Sequence, residues 1–206
     1  MPQLQDISQL PPEPWKNGGG ITRTLLHSGA QPAAWRISVA EIQRSGAFSR
    51  FENTERLSVL LRGEGLQLIC AGQPHTFTRL GQSLRYDGAT PTEAVLGIGG
   101  PARFLNIMVD PLRAQATVHA QAAVMPTGLG HLDGDAPACL FSLLVPVVGS
   151  VQWRTPDSQV GTVDAGHTLR ADALEGPVTL QAHSADAQWV VAELFGPPVI
   201  PANAAT

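Results

Sequence analysis

Apolar and polar residues alternate in short runs along the chain, and the three-to-four-residue spacing of an amphipathic helix is nearly absent. One clear run begins at Trp35. In an extended strand Trp35, Ile37 and Val39 fall on one face, and Arg36 and Ser38 fall on the other. Glycines separate the runs and mark the turns between them. The same pattern predicts further strands at 57–61, 66–70, 75–78, 83–86, 104–109, 140–148, 151–154, 168–170, 178–181 and 189–194. The chain is therefore predicted to be all-β with little helix.

A short pattern occurs twice in the sequence. Gly81–Asp87 and Gly166–Asp172 both read G-x-[ST]-L-R-x-D, and the same offset of 85 residues places Leu66–Leu68 on Val151–Trp153. Two similar turns that arose independently are the alternative, but matching strands upstream favour an internal duplication. Repeated blocks of short strands suit barrels, because closure removes exposed strand edges.

The expected architecture is thus a bicupin-like double barrel. An N-terminal barrel at 1–112 would carry the pocket, and a C-terminal barrel at 113–206 would pack with it as one compact unit. A single large sandwich and a lipocalin-like barrel are the alternatives.

Charge is distributed unevenly over a chain that is 43% hydrophobic and 15% charged. The net charge of −4 argues against a nucleic-acid or anionic-membrane surface. Residues 1–103 hold ten Lys/Arg and eight Asp/Glu, whereas residues 104–206 hold three and nine. A small anion would therefore find its partners in the first half. The N-terminal stretch lacks the basic and apolar regions of a signal peptide, and no apolar run reaches the roughly 18 residues of a membrane helix, so a cytoplasmic location is expected.

The segment 14–23 combines three consecutive glycines with Lys16, the only lysine of the chain. Glycine runs are tolerated where the backbone turns sharply or approaches another group closely. A compact ammonium at this point is a candidate for binding or chemistry, although a solvated loop with one lysine is equally compatible with the spacing. The order of residues does not match a phosphate-binding loop.

Four further polar residues lie on or beside predicted strands. Arg36 and Ser38 share a face, which is either the barrel interior or the solvent side. Arg56 directly precedes an apolar run and so lies at a strand entrance, where barrels usually mount binding side chains. Asn106 interrupts an apolar strand and needs a hydrogen-bond partner if it is buried.

Motifs for metal binding or nucleophilic catalysis are missing. The six histidines are isolated in sequence and form no H-x-H, H-x-x-x-H or H-E-x-x-H pattern, so no metal is expected. Cys70 and Cys139 lie in apolar runs without redox spacing and are interpreted as buried core thiols. No G-x-S-x-G nucleophile elbow is present.

Taken together, these segments resemble the HutD/Ves family of bicupin-like proteins. The resemblance rests on PWKNGGGITR at 14–23, WRISVAEI at 35–42, SGAFSRFENTER at 45–56, LLRGEG at 60–65, RYDG at 85–88 and GPARFLNIM at 100–108. The chain also departs from the family. Family members usually carry an acid where this chain has Thr24, a Pro-Gly in the loop that here reads FENTER, and Asp-Phe-Asn where this chain reads Phe-Leu-Asn.

The resemblance implies a metal-free and cofactor-free protein that binds a small anionic metabolite. Such a protein would modulate histidine utilisation by sensing an intermediate such as N-formylglutamate. The family positions that carry over as ligand-binding candidates are Lys16, Asn17, Thr22, Arg23, Arg36, Ser38, Arg56 and Asn106. Arg56 is the expected carboxylate partner, because a planar guanidinium takes both oxygens in one bidentate contact. Phe48, Trp15 and Trp35 are expected either to wall the pocket or to be ordinary core aromatics.

Two other functions stay open at this point. A metal-independent hydrolase or isomerase acting on a small acid would use Lys16 or a carboxylate for acid–base catalysis. A homodimer or a regulatory protein partner is also compatible with the sequence, whereas nucleic-acid and membrane partners are not expected.

Overall fold

The computed structural model describes residues 1–121, 124–125, 138–172 and 176–197, and these residues are almost entirely β-strand. Up to residue 109 the strands are β1 (Gln3–Asp6), β2 (Glu13–Pro14), β3 (Gly20–His27), β4 (Trp35–Ile42), β5 (Gly46–Ala47), β6 (Glu55–Arg62), β7 (Leu66–Cys70), β8 (Gln73–Phe77), β9 (Ser83–Asp87), β10 (Thr92–Val95) and β11 (Ala102–Val109). They are followed by β12 (Gln115–Ala120), β13 (Val124–Met125), β14 (Cys139–Val148), β15 (Ser150–Arg154), β16 (Val160–Asp164), β17 (His167–Asp172), β18 (Val178–Ala182) and β19 (Gln188–Phe195). A single 3₁₀ turn at Ile7–Gln9 is the helical element of the described residues, and none of these residues forms a helix that is long and apolar enough to cross a membrane.

The first compact unit spans Asp6–Asp110 and contains two antiparallel sheets. One has the order β2-β3-β4-β11-β6-β9, and the other has the order β5-β10-β7-β8. Buried residues of both sheets, including Leu60 and Phe104 from the first and Leu68 and Phe77 from the second, form one hydrophobic cluster. The rings of Phe77 and Phe104 meet edge to face with centroids 4.9 Å apart. The two sheets therefore pack face to face around this core.

The second compact unit spans Pro111–Thr206 together with Met1–Gln5. Its sheets have the orders β1-β17-β14-β19-β12 and β13-β18-β15-β16. Leu144, Val151, Leu169 and Val191 are among the residues of its core. Because β1 comes from the start of the chain, this unit is not one continuous segment. The domain limits of 1–112 and 113–206 stay a prediction of the sequence.

The two units share eight strands in the same order, whereas β1, β2 and β3 have no counterpart among the described residues. The run β9-β6-β11-β4 of the first has its counterpart in β17-β14-β19-β12 of the second, and β5-β10-β7-β8 has its counterpart in β13-β18-β15-β16. An internal duplication would produce this order, and the duplication itself stays a prediction. The all-β class is confirmed. The expectation of closed barrels needs correction, because the strands of each unit divide into two separate sheets and the described residues show no continuous ladder around either unit.

Alternation of side chains explains why these segments form strands. In β7, Leu66, Leu68 and Cys70 are buried whereas the residues between them are partly exposed. Cys70 and Cys139 are both buried and free, which confirms their interpretation as core thiols.

Candidate functional site

Three rows of side chains cross the inner face of the six-stranded sheet, and their polarity changes from row to row. Strand register places Ala40, Phe104 and Leu60 in the first row, Ser38, Asn106, Ser58 and Leu84 in the second, and Arg36, Met108, Arg56 and Tyr86 in the third. Successive rows are two residues apart, which is the period at which side chains return to the same face of a strand. Along β4 and along β6 the face therefore passes from apolar through neutral polar to cationic within five residues.

A cavity of about 540 Å³ opens on the polar part of this face. Its walls come from the segment 13–17, from Thr22 on β3, from β4, β6 and β11, and from the segment 47–51. Its volume lies in the range typical of sites for small molecules, which is about 300–1,000 Å³. Most of the polar residues predicted as ligand-binding thus meet in one place.

The glycine-rich loop is held against the cavity by Asn17. Its amide oxygen accepts a hydrogen bond from the backbone N–H of Gly19 at 2.9 Å, and its amide nitrogen donates to the carbonyl of Ala47 at 3.2 Å. Gly18 has a φ of +66°, and a Cβ on Gly20 would lie 2.2 Å from the carbonyl oxygen of Glu41. The glycines are therefore needed for a turn and for close contact with β4.

Arg56 is the most deeply buried cation of the cavity, with 6% of its surface exposed. Its guanidinium lies 5.1 Å from the ring centre of Phe48, 5.8 Å from that of Phe51 and 5.2 Å from that of Tyr86. One terminal nitrogen donates to the carbonyl of Ser49 at 3.3 Å, whereas the buried Nε has no hydrogen-bond partner.

Burial lowers the pKa of Arg56 below its ordinary value, because removal of the guanidinium from water disfavours its charged form. No carboxylate of the described residues forms an ion pair with this guanidinium. Arg56 thus brings a buried positive charge and an unused donor to the cavity.

Arg36, by contrast, is neutralised within the cavity wall. Its guanidinium donates to Glu13 at 2.9 Å and to the hydroxyl of Thr24 at 2.6 Å and 3.1 Å, and Thr24 in turn donates to Glu13 at 2.7 Å. Of the two orientations that the sequence left open, the structure has the one in which Arg36 and Ser38 line the cavity. Glu13 was not predicted, and its place in a proline-rich stretch without alternation gives no signal for it.

Asn106 has the partner that its burial requires. The Ser58 hydroxyl donates to its amide oxygen at 2.7 Å, and the hydroxyl groups of Ser58 and Tyr86 lie 3.1 Å apart. Ser58 and Tyr86 were not among the predicted residues. The alternation that selects Arg56 also selects Ser58, two positions further along β6, so a signal for Ser58 was present.

Lys16 and Thr22 complete the polar lining. Lys16 is exposed at the cavity wall, and the described residues give it no ion pair. The Thr22 hydroxyl accepts a hydrogen bond from the indole nitrogen of Trp15 at 2.8 Å. Trp15 packs edge to face on Phe48 with ring centres 5.6 Å apart. Both rings line the cavity and also pack against the hydrophobic core of the first unit, so they combine the two roles that the sequence left open.

Two predicted residues lie elsewhere. Arg23 is not among the cavity-lining residues and forms an ion pair with Glu41 at 3.1 Å, so its assignment as a pocket residue is corrected. The physical reason is that Thr22 and Arg23 are adjacent in β3, and adjacent residues of a strand point to opposite faces. Trp35 is likewise absent from the lining, because it alternates with Arg36.

A metal centre has no support in the described part of the chain, which contains no group of three or more His, Cys, Asp or Glu side chains close enough to hold an ion. His131 falls outside the described residues.

Comparison with known proteins identifies relatives along most of the sequence. The model of the HutD family matches residues 7–190. Protein Ves of Citrobacter koseri is 34% identical over 181 residues, which cover 83% of this chain and 88% of that protein. An uncharacterised 21.2 kDa protein in the 3′ region of hutC in Pseudomonas putida is 33% identical over 117 residues, which cover 55% of this chain and 61% of that protein.

Solved structures of other proteins superimpose on this chain along most of its length. HutD from Pseudomonas fluorescens SBW25, determined in a formate condition, superimposes with a TM-score of 0.75 at 22% identity over 95% of this chain and 99% of that chain. A Cupin 2 conserved barrel domain protein from Leptotrichia buccalis superimposes with a TM-score of 0.57 at 10% identity over 94% of this chain and 96% of that chain. At these identities the likeness shows a cupin-like fold and nothing further.

Proposed function

The chain belongs to the HutD family, and from this membership and the geometry of the cavity we propose that it binds a small carboxylate metabolite without converting it. The ligand enters the cavity of the first unit and places its carboxylate against Arg56. The observation that carries the proposal is the buried guanidinium of Arg56, whose Nε has no hydrogen-bond partner and whose charge has no counter-ion among the described residues.

The surroundings of Arg56 explain why an anion is the preferred partner. A buried charge without a counter-ion is costly, because little water remains to solvate it. The three rings around the guanidinium offset part of this cost through their π-faces, but they offer no formal negative charge. A carboxylate supplies that charge and accepts hydrogen bonds of about 1.5–3 kcal/mol each.

Arg36 is a weaker candidate, because Glu13 already neutralises it. Lys16, exposed at the wall, is the second positive group that a ligand can reach without breaking an ion pair of the described residues. A ligand with one buried and one peripheral acidic group therefore suits the cavity.

The physiological role proposed here is cytoplasmic sensing. One relative is encoded in the 3′ region of hutC in Pseudomonas putida, which associates the family with the histidine-utilisation locus. Binding of an intermediate such as N-formylglutamate would then modulate histidine utilisation. The volume of the cavity and its two available cations, Arg56 and Lys16, are compatible with an acid of this size and charge.

Isothermal titration calorimetry and thermal unfolding test the proposal with N-formylglutamate, urocanate, glutamate and formate as ligands. Formate is included because the HutD structure from Pseudomonas fluorescens was determined in a formate condition. We expect at least one acid to bind and Arg56→Met to weaken it by about 10- to 150-fold, which corresponds to roughly 1.5–3 kcal/mol.

Arg62→Met is the matched control, because Arg62 is exposed on the same strand and does not line the cavity. Equal binding by the two variants, or no binding of any acid to the wild-type protein, would contradict the proposal. Proton NMR of the same samples detects turnover. If the wild-type protein converts one of the acids and Lys16→Ala does not, the hydrolase or isomerase alternative is favoured instead.

A further inference from the structure

A chain of hydrogen bonds links three residues from three strands on the inner face of the six-stranded sheet. Tyr86 on β9 contacts Ser58 on β6 at 3.1 Å, and Ser58 contacts Asn106 on β11 at 2.7 Å. Ser58 and Asn106 are buried and lie directly opposite each other in the strand register. We propose that Tyr86 and Ser58 fix the Asn106 amide with its NH₂ group toward the cavity, so that this wall selects ligands bearing a hydrogen-bond acceptor.

The donor and acceptor in each of these two hydrogen bonds follow from the number of protons that each group has to donate. Among the described residues, the hydrogen-bond partner of the Tyr86 hydroxyl is the Ser58 hydroxyl, and the Arg56 guanidinium lies 5.2 Å from the centre of the Tyr86 ring. A guanidinium has donors but no acceptor, so Tyr86 must donate its proton to Ser58. Ser58 has a single proton of its own, which it donates to the amide oxygen of Asn106.

The reverse arrangement would leave the hydroxyl proton of the half-buried Tyr86 without an acceptor among the described residues. If the Asn106 nitrogen pointed to Ser58, Ser58 would have to donate to Tyr86, and the phenol proton would have no partner among the described residues. An unmade hydrogen bond of a buried group is unfavourable. Burial also raises the pKa of Tyr86 above its ordinary value of 10.0, against the opposing effect of the Arg56 charge, so the phenol keeps its proton at neutral pH.

The consequence for a ligand is a second point of recognition beside Arg56. Asn106 lines the cavity, and with its oxygen engaged it offers only the two N–H donors of its amide. Arg56 pairs with Met108 and Ser58 pairs with Asn106, so Arg56 and Asn106 are diagonal neighbours, with Cα atoms roughly 7–8 Å apart. A carboxylate and an acceptor oxygen a few bonds apart in one ligand therefore reach both residues.

This inference rests on the proposed carboxylate binding for its functional consequence, but the orientation of the amide can be tested without any ligand. A crystal structure at atomic resolution distinguishes the shorter carbon–oxygen bond of the Asn106 amide from the longer carbon–nitrogen bond. We expect the oxygen to face Ser58 in the wild-type protein. An amide oxygen that faces the cavity would overturn the inference, whether or not any acid binds.

The selectivity is measured by calorimetry with 4-oxopentanoate and pentanoate, two acids that differ in one acceptor oxygen. We expect the wild-type protein to prefer 4-oxopentanoate by about tenfold, the effect of one unpaired buried donor. Ser58→Ala and Tyr86→Phe should each reduce this ratio toward one. Tyr86→Phe keeps the ring beside Arg56, so pentanoate should bind it as it binds the wild type.

Ser83→Ala, an exposed residue of β9, is the control and should keep the wild-type ratio. An unchanged ratio in both Ser58→Ala and Tyr86→Phe would overturn the inference. If one of these variants does not fold, the other decides. If neither acid binds, and Arg56→Met and the wild-type protein also bind the acids of the first titration equally, the proposed function fails. The crystal structure still decides the orientation of the Asn106 amide.

Discussion

Replacing Arg56 by methionine should stabilise the protein at the same time as it removes ligand binding. Arg56 has 6% of its surface exposed, its Nε has no partner, and no carboxylate of the described residues forms an ion pair with it. The lowered pKa of this guanidinium has the same physical cause, because burial penalises its charge. Methionine keeps an unbranched apolar stem of similar reach and packs well against aromatic rings.

The magnitude follows from the contacts that would be lost and the penalty that would be relieved. The penalty for a buried ion is several kcal/mol after relaxation of its surroundings. Against it stand three ring contacts that share one desolvated guanidinium and together contribute on the order of 2 kcal/mol, and one long hydrogen bond to Ser49 at 3.3 Å. We therefore expect the free energy of unfolding of Arg56→Met to rise by about 1–3 kcal/mol. For a chain of this size, the Tm should rise by roughly 2–10 °C.

Urea and thermal denaturation in a buffer free of carboxylates measure this difference. Arg62→Met is again the control, and as an exposed substitution it should change the free energy of unfolding by less than about 0.5 kcal/mol. If Arg56→Met lowers the free energy of unfolding by more than about 1 kcal/mol, the ring contacts and the Ser49 bond outweigh the burial of the charge. Arg56 would then be a structural residue, and the reasoning that assigns it to an absent anion would be refuted.

Three further substitutions test other parts of the site. Gly20→Ala should destabilise the protein by about 2–3 kcal/mol in urea denaturation, because its Cβ would lie 2.2 Å from the Glu41 carbonyl, whereas Gly46→Ala, with a nearest atom at 3.8 Å, should be tolerated. Glu13→Gln removes the carboxylate that neutralises one cavity arginine and should tighten carboxylate binding about two- to fivefold in calorimetry at low salt; weaker binding would refute this. The pKa of Tyr86 is raised in the folded state, so the stability that this residue contributes is complete below about pH 10 and is lost as the pH rises through the folded-state pKa. Between about pH 9 and 11 the free energy of unfolding of Tyr86→Phe should therefore fall less than that of the wild-type protein. Equal falls would contradict the raised pKa of Tyr86.

Local alternation in the sequence was sufficient to place Arg36 and Ser38 on one face of β4, but not to decide that this face lines a cavity. Arg36 and Ser38 were expected to share a face opposite Trp35, and the structure places both on the cavity wall. The same rule exposes the error at Arg23. Thr22 and Arg23 cannot both face the cavity from one strand, and only Thr22 does.

Local alternation could not predict the hydrogen-bond and ion-pair partners of these residues. Asn106 was expected to need a hydrogen-bond partner, but Ser58 lies 48 residues away in sequence and becomes its neighbour only through the pairing of β6 with β11. Glu13 reaches Arg36 across 23 residues from a short strand that has no periodic signal. Contacts of this kind depend on which strands pair and in which register, and no local pattern specifies both.

The sequence by itself determined the β class, the family and the polar segments that supply the cavity, because these depend on local periodicity and on residues near one another in the chain. The tertiary structure decided the charge that a ligand meets. It pairs Arg36 with Glu13, turns Arg23 to the other face, and leaves Arg56 buried without a counter-ion among the described residues. The physical reason is that the free energy of a charge depends on its burial and its nearest partners, and both are set by residues that are distant in sequence.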